Sequence, residues 1–145
     1  MAPIKSDIDI ARPPDEVFSY AIDPARFKEW QQGVVGGRTE GPLGVGARCV
    51  MTRRIGGSER TSISEIAEYN PPAAWAIHGI DGPIRADVTV RVEPSGDGTQ
   101  SHLAISLDFT GFGIGKVLLP MVVRRARKEV PASCQKLKEL LERSG

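Results

Sequence analysis

Arginine is the side chain in this sequence best equipped for chemistry. Arg53 follows Met51 and Cys49 at two-residue intervals, so in an extended chain all three share one face. The turn Ile55-Gly-Gly-Ser comes directly after it. An inward arginine there can clamp a carboxylate or an enolate oxygen through its planar fork of donors. The plain alternative is a strand-end arginine reaching water. Arg125 and Glu129 stand four apart, the spacing of a helical ion pair: an ordinary surface pair, or one that leaves a donor over for a ligand. Trp30 and Trp75 offer flat, rigid surface to a ring-bearing ligand, or fill a core. Met51 and Met121 suit an adaptable pocket wall as well as they suit core filling.

The remaining inventory narrows the chemistry. His78 and His102 are the only histidines, each in an alternating stretch that favours the outer face of a strand. Cys49 and Cys134 fit no metal spacing and read as small buried hydrophobes. No paired carboxylates stand out and no Ser-His-Asp order can be placed. Gly33, Gly36 and Gly37 form no phosphate loop, since no strand–glycine–helix order with Lys-Ser/Thr follows. No catalytic residue, metal or cofactor is assigned on these grounds. The basic cluster Arg124-Arg-Ala-Arg-Lys128 puts Arg124, Arg127 and Lys128 on one helical face. That is a solvated surface in the plain reading and a transient contact with an acidic membrane in the functional one. No stacking aromatics adjoin it, so nucleic acid is not expected as a partner.

These side chains must be held by regular elements. From Gly111 to Arg143 apolar residues recur at three- and four-residue intervals, the mark of a helix. Ile114, Leu118, Met121 and Val122 share one bearing; Val130, Cys134, Leu137 and Leu141 share another, roughly 100° away. Pro131 falls at the change and is expected to kink or divide the helix, whereas Pro120 suits a first turn. A lead-in turn and two halves facing different environments are therefore expected.

Earlier, Ile4, Ile8 and Ile10 mark a strand. Pro13 and Pro14 open a short helix burying Val17, Phe18 and Ala21, and Asp23-Pro24 opens a second, Ala25 to Gln31, with Phe27 and Trp30 inward. Six strands follow, over 34–39, 47–54, 59–69, 73–80, 84–92 and 103–109, with turn signals every 8–12 residues. Polar residues at alternate positions of the last two give the sheet one dry and one wet face. The expected architecture is α+β: a curved seven-stranded antiparallel sheet wrapped around a long C-terminal helix, with two short helices after the first strand, residues 1–145 forming one domain.

The interior reads as thinly furnished. Ala47, Cys49, Ala67, Gly79, Ala86 and Ala126 are expected inside, and aromatics make up only 6% of the chain. A cavity rather than a solid core is expected. Its expected lining is Trp30, Met51, Arg53, Trp75, Ile77, Ala86, Val88, Leu107 and Phe109, roofed by Val117, Leu118, Met121, Val122 and Arg125 of the helix.

With 145 residues, 40% hydrophobic and 26% charged, the chain has the composition of a soluble globule. A net charge of +1 gives no general pull toward polyanions. No apolar run approaches the ~18 residues that span a bilayer. The opening Met-Ala-Pro-Ile-Lys-Ser-Asp lacks the apolar core of a secretion signal, so a cytoplasmic location is expected, as monomer or homodimer.

The stretch Pro13-Pro-Asp-Glu-Val-Phe-Ser-Tyr, followed by Asp23-Pro-Ala-Arg-Phe-Lys-Glu-Trp30, resembles the opening of the START-like, Bet v 1-like (SRPBCC) superfamily. It is most similar to the bacterial polyketide cyclase/dehydrase and lipid-transport branch. Gly44-Val-Gly-Ala-Arg, Glu68-Tyr-Asn-Pro-Pro and the late Gly98-Thr before a strand fall in the same order, so the similarity runs over essentially the whole chain. The resemblance implies a helix-grip fold with an apolar cavity between sheet and C-terminal helix. It implies a small hydrophobic partner, lipid-like, polyketide or aromatic, bound by a carrier or sensor. Some members are aromatase/cyclases whose pockets carry arginine, histidine, tyrosine or serine to hold and enolise a poly-ketone. No such constellation matches here residue by residue, and cyclase or dehydratase activity stands as the alternative.

Overall fold

The computed structural model describes residues 3–55 and 57–143, without the side chain of Ile55. Gly56, in the turn expected at Ile55–Ser58, lies outside the described residues. Seven strands are formed: β1 (Ile4–Ile10), β2 (Val34–Glu40), β3 (Arg48–Ile55), β4 (Ser58–Asn70), β5 (Ala74–Gly79), β6 (Ile84–Ser95) and β7 (Gln100–Gly111). They pair antiparallel in the order β1-β7-β6-β5-β4-β3-β2. The first two strands thus sit at opposite edges of the sheet. Helix α1 (Pro14–Ala21), a 3-10 turn (Pro24–Arg26) and α2 (Phe27–Trp30) carry the chain between them. The Asp23 side chain accepts the Ala25 N–H at 3.0 Å, which caps the turn where Asp-Pro signals it.

Helix α3 (Gly115–Arg143) packs over β1, β7 and β6 and touches α2. It differs from expectation in two ways. It is one continuous helix with Pro120 and Pro131 both inside it, so Pro131 does not divide it. The two apolar bearings also have different fates. The second extends back from Leu141, Leu137 and Cys134 through Val130, Ala126 and Val123 to Gly115 as one buried stripe. The first lies to one side of that stripe, with Ile114, Leu118 and Met121 exposed.

Both ends of α3 are fixed by close contacts. At the C-terminal end the Glu142 carboxylate accepts the Ala11 N–H at 2.8 Å and Lys138 Nζ at 2.8 Å. Arg12 donates to the Glu142 carbonyl at 2.9 Å, and Lys138 to the Asp9 carbonyl at 2.7 Å. At the N-terminal end Phe112 N–H donates to the Pro83 carbonyl at 2.8 Å, and Gly115 lies so close that a Cβ there would stand 1.9 Å from Pro83 O. A helix held at two points over one side of a curved sheet leaves the other side to be covered by α2 and loops.

The register confirms the dry and wet faces: Val88 pairs with Leu107, Val90 with Ile105 and Val92 with Leu103 on the inner side. His78 pairs with Asp87, and His102 sits across from Asp9, on the outer side. Ala67 is a correction, since it is exposed. The register of β4 against β5 shifts between Ile66 and Glu68, and that irregularity turns the extra residue out.

Candidate functional site

The inner face of the sheet is filled at one end only. Phe18, Phe27, Trp30, Trp75, Ile77, Val90, Val92 and Leu103 form a solid cluster. Phe27 meets Trp30 and Trp75 edge-on, with centroids 6.0 and 6.2 Å apart. Trp30, Trp75 and Ile77 therefore belong to the packed core and do not line a space, contrary to expectation. Their flat surface goes to Phe27 and its neighbours, although neither buried indole N–H meets an acceptor from the protein.

Toward the other end the same inner rows change character. Met51, Ala86, Val88, Leu107 and Phe109 remain on the inner face, and Ala86–Phe109 and Val88–Leu107 are cross-strand pairs, yet all five are only half-buried. Strand neighbours flank them on both sides, so their free surface opens toward α3. Together these half-buried residues outline an apolar concavity on the inner face, beside the first turns of the helix. Val122 is half-buried on this side and Leu118 is 37% exposed. Met121, 61% exposed, stands at the rim. Val117, 78% exposed, is another correction: it lies roughly 160° around the helix from Leu119, which packs on the core, and so faces solvent. Phe112 and Ile114 extend the exposed apolar surface beside it.

Arg53 is on the inner face, in register with Val34 of β2 and Arg60 of β4. Its surface is only partly covered, yet protein surrounds it densely enough that desolvation pulls its basicity down, with Glu129 opposing the shift. The two facts agree for a side chain facing a concavity. It donates one long hydrogen bond, 3.5 Å, to Gln31 Oε1. Arg125 is exposed at the rim, its Nε 3.9 Å from Glu129 Oε1. Ser62 and Ser64 pair with Met51 and Cys49, adding two hydroxyls to the inner face. Sequence reasoning missed Ser62, Arg60 and Gln31. A two-residue turn after Ile55 would have revealed the Arg53–Arg60 pairing by counting.

Neither histidine reaches the concavity. His78 Nδ1 bonds to Asp87, and His102 bridges Asp9 through Nδ1 at 2.7 Å and Asp7 through Nε2 at 3.2 Å, all on the outer face. The hydrogen bond to Asp9 raises the His102 pKa above 6.5, assisted by the charges of Asp9 and Asp7. A raised native pKa stabilises the fold below about pH 6.5, and that contribution is lost as pH climbs through the native value. An NMR titration is expected to find His102 above 6.5 and to find it returning toward 6.5 in Asp9→Asn. Burial pushes the thiols of Cys49 and Cys134 up, which keeps them protonated and inert at neutral pH. A separate open depression of about 360 Å³ lies on the outer face, over Lys5, Asp7, Thr89, Arg91, Ala104 and Ser106. It does not communicate with the inner concavity, because the sheet stands between them. Among the described residues no group of His, Cys, Asp or Glu has metal-binding geometry, and no helix is long and apolar enough to cross a membrane.

The fold recurs in solved structures. The aromatase/cyclase Zhui from Streptomyces sp. R1128 superposes with a TM-score of 0.80 at 13% identity, over 97% of this chain and 93% of that one. A START superfamily protein from Mycobacterium smegmatis gives 0.79 at 14% identity, with 100% of both chains covered. The di-domain aromatase/cyclase BexL of the BE-7585A biosynthetic pathway gives 0.75 at 18% identity, over 96% of this chain. The chain spans only 46% of BexL, about half of that protein. At such identities the likeness speaks for the fold alone, which is the START-like helix grip. No curated protein matches the chain. The model of one family, polyketide cyclase/dehydrase and lipid transport, matches residues 1–142, and the protein belongs to that family.

Proposed function

We propose that this protein binds a small hydrophobic molecule in the concavity between the sheet and the first half of α3, as a carrier or sensor. One observation carries the reading: Met51, Ala86, Val88, Leu107 and Phe109 sit on the inner face and yet remain half-buried. Apolar surface held open in this way gains about 25 cal/mol for each Å² that a ligand covers. A carrier is favoured over a cyclase because both histidines, the usual acid–base groups, are engaged on the outer face. Cyclase chemistry keeps one supporting feature, Arg53 and Ser62 on the inner face, where an enolate oxygen could be held.

The test is thermal. 1-Aminoanthracene and 1-decanol are expected to raise the melting temperature, since a ligand at a hundredfold over its Kd stabilises by about 2.7 kcal/mol. Val88→Trp, which fills the concavity, is expected to abolish that rise without lowering the ligand-free melting temperature. Absence of stabilisation by either compound, or unchanged binding in Val88→Trp, would refute the reading.

A further inference from the structure

We propose that the concavity takes an amphipathic ligand with a carboxylate end, held between Arg53 and Arg60 with its apolar body along Val88, Leu107 and Phe109. This inference rests on the binding reading above and names the class of ligand. The β3–β4 register sets Arg53, on the inner face, directly opposite Arg60, whose side chain is exposed. Like charges facing each other across antiparallel strands destabilise the pair unless an anion lies between them. The protein supplies little to neutralise them. Glu129 is the acid felt at Arg53, and Arg125 already draws on it at 3.9 Å. Glu59, next to Arg60 in the chain, is paired with Arg54 at 2.9 Å on the opposite face.

Arg53 and Arg125 thus share one carboxylate, Glu129, and among the described residues no ion pair holds Arg60. Arg53 has a guanidinium with five N–H donors and uses one of them in a 3.5 Å bond to Gln31. Its remaining donors are pre-desolvated, which strengthens any charge-assisted bond they make. The concavity is apolar from Ala86 to Phe109 and cationic at β3–β4. That polarity matches a fatty or aromatic acid and disfavours a wholly apolar guest, which would leave the desolvated Arg53 without a counter-ion of its own.

The experiment compares three ligands of one chain length, decanoate, 1-decanol and methyl decanoate, by displacement of neutral 1-aminoanthracene at pH 7.5 and below micellar concentrations. Decanoate is expected to bind at least about tenfold more tightly than the alcohol or ester, as a charge-assisted bond to a desolvated arginine requires. In Arg53→Met and in Arg60→Gln its affinity is expected to fall to that of decanol. Arg53→Lys is expected to recover part of the preference, because the charge returns without the planar fork. Equal affinities for the three ligands in the wild type would overturn the carboxylate assignment and leave the binding reading standing. A preference that survives in both Arg53→Met and Arg60→Gln would also overturn it. Failure of 1-aminoanthracene and all three ligands to bind would remove the binding reading and this inference together.

Discussion

Gly115→Ala is expected to destabilise the protein by about 3 kcal/mol, a fall of roughly 10 °C in melting temperature. The sign is the informative part. Within a helix, alanine is normally better than glycine by about 1 kcal/mol, so helix propensity alone predicts a gain. Here the added methyl would lie 1.9 Å from the carbonyl oxygen of Pro83 and 2.6 Å from its carbon, closer than any side chain tolerates. Backbone, not a flexible side-chain tip, stands in the way, so either the β5–β6 loop or the start of α3 must move by more than an ångström. Either shift breaks the Phe112 N–H bond to Pro83 and disturbs the first turns of the helix, beside the concavity. Thermal denaturation followed by circular dichroism measures the effect. An increase in melting temperature would mean that the helix start is not seated on Pro83.

Leu137→Ala is expected to cost about 3 kcal/mol, whereas Met121→Ala sixteen residues earlier should change stability by less than about 0.5 kcal/mol. The two side chains are of similar size on the same helix. Leu137 is 0% exposed, in the stripe that packs on the sheet, and its loss leaves a cavity that rigid neighbours cannot close. Met121 is 61% exposed at the rim of the concavity, where little contact is lost. Urea denaturation of the pair with equal m-values would separate them cleanly. Equal costs would contradict the single buried stripe running from Gly115 to Leu141.

Much of the fold was legible in the residues. Alternation of polar and apolar side chains in β6 and β7 defines an inner face without any knowledge of neighbours, because period two is a local property of extended chain. Asp23-Pro24 marks the second helical segment through its own cap, again a local interaction. The outward position of His78 and His102 follows from the same alternation. Helical structure between Gly111 and Arg143 was equally plain from its period.

What a helix faces, however, is not local. The apolar bearings of α3 are both visible in the sequence, and only docking on β1, β7 and β6 decides that one is buried and the other left at the rim. Pro131 was expected to divide the helix, yet the helix runs through it. A proline costs one backbone bond and a steric adjustment, and the buried residues on either side of it, Val130 and Cys134, outweigh that loss by packing on the sheet. Trp30, Trp75 and Ile77 were expected to line a pocket and instead fill the core, because the position of Phe27 between the two tryptophans depends on how α2 crosses the sheet. Arg53 is the sharpest case. Its strand face could be counted from Cys49, but the facing Arg60, the shared Glu129 and the desolvation arise from three elements distant in sequence. Periodicity and caps are written in single residues and their near neighbours, so the sequence by itself determined the elements and their dry faces. Burial and electrostatics sum over partners brought together from everywhere in the chain, and only the tertiary structure could decide which of those faces is filled and which stays open.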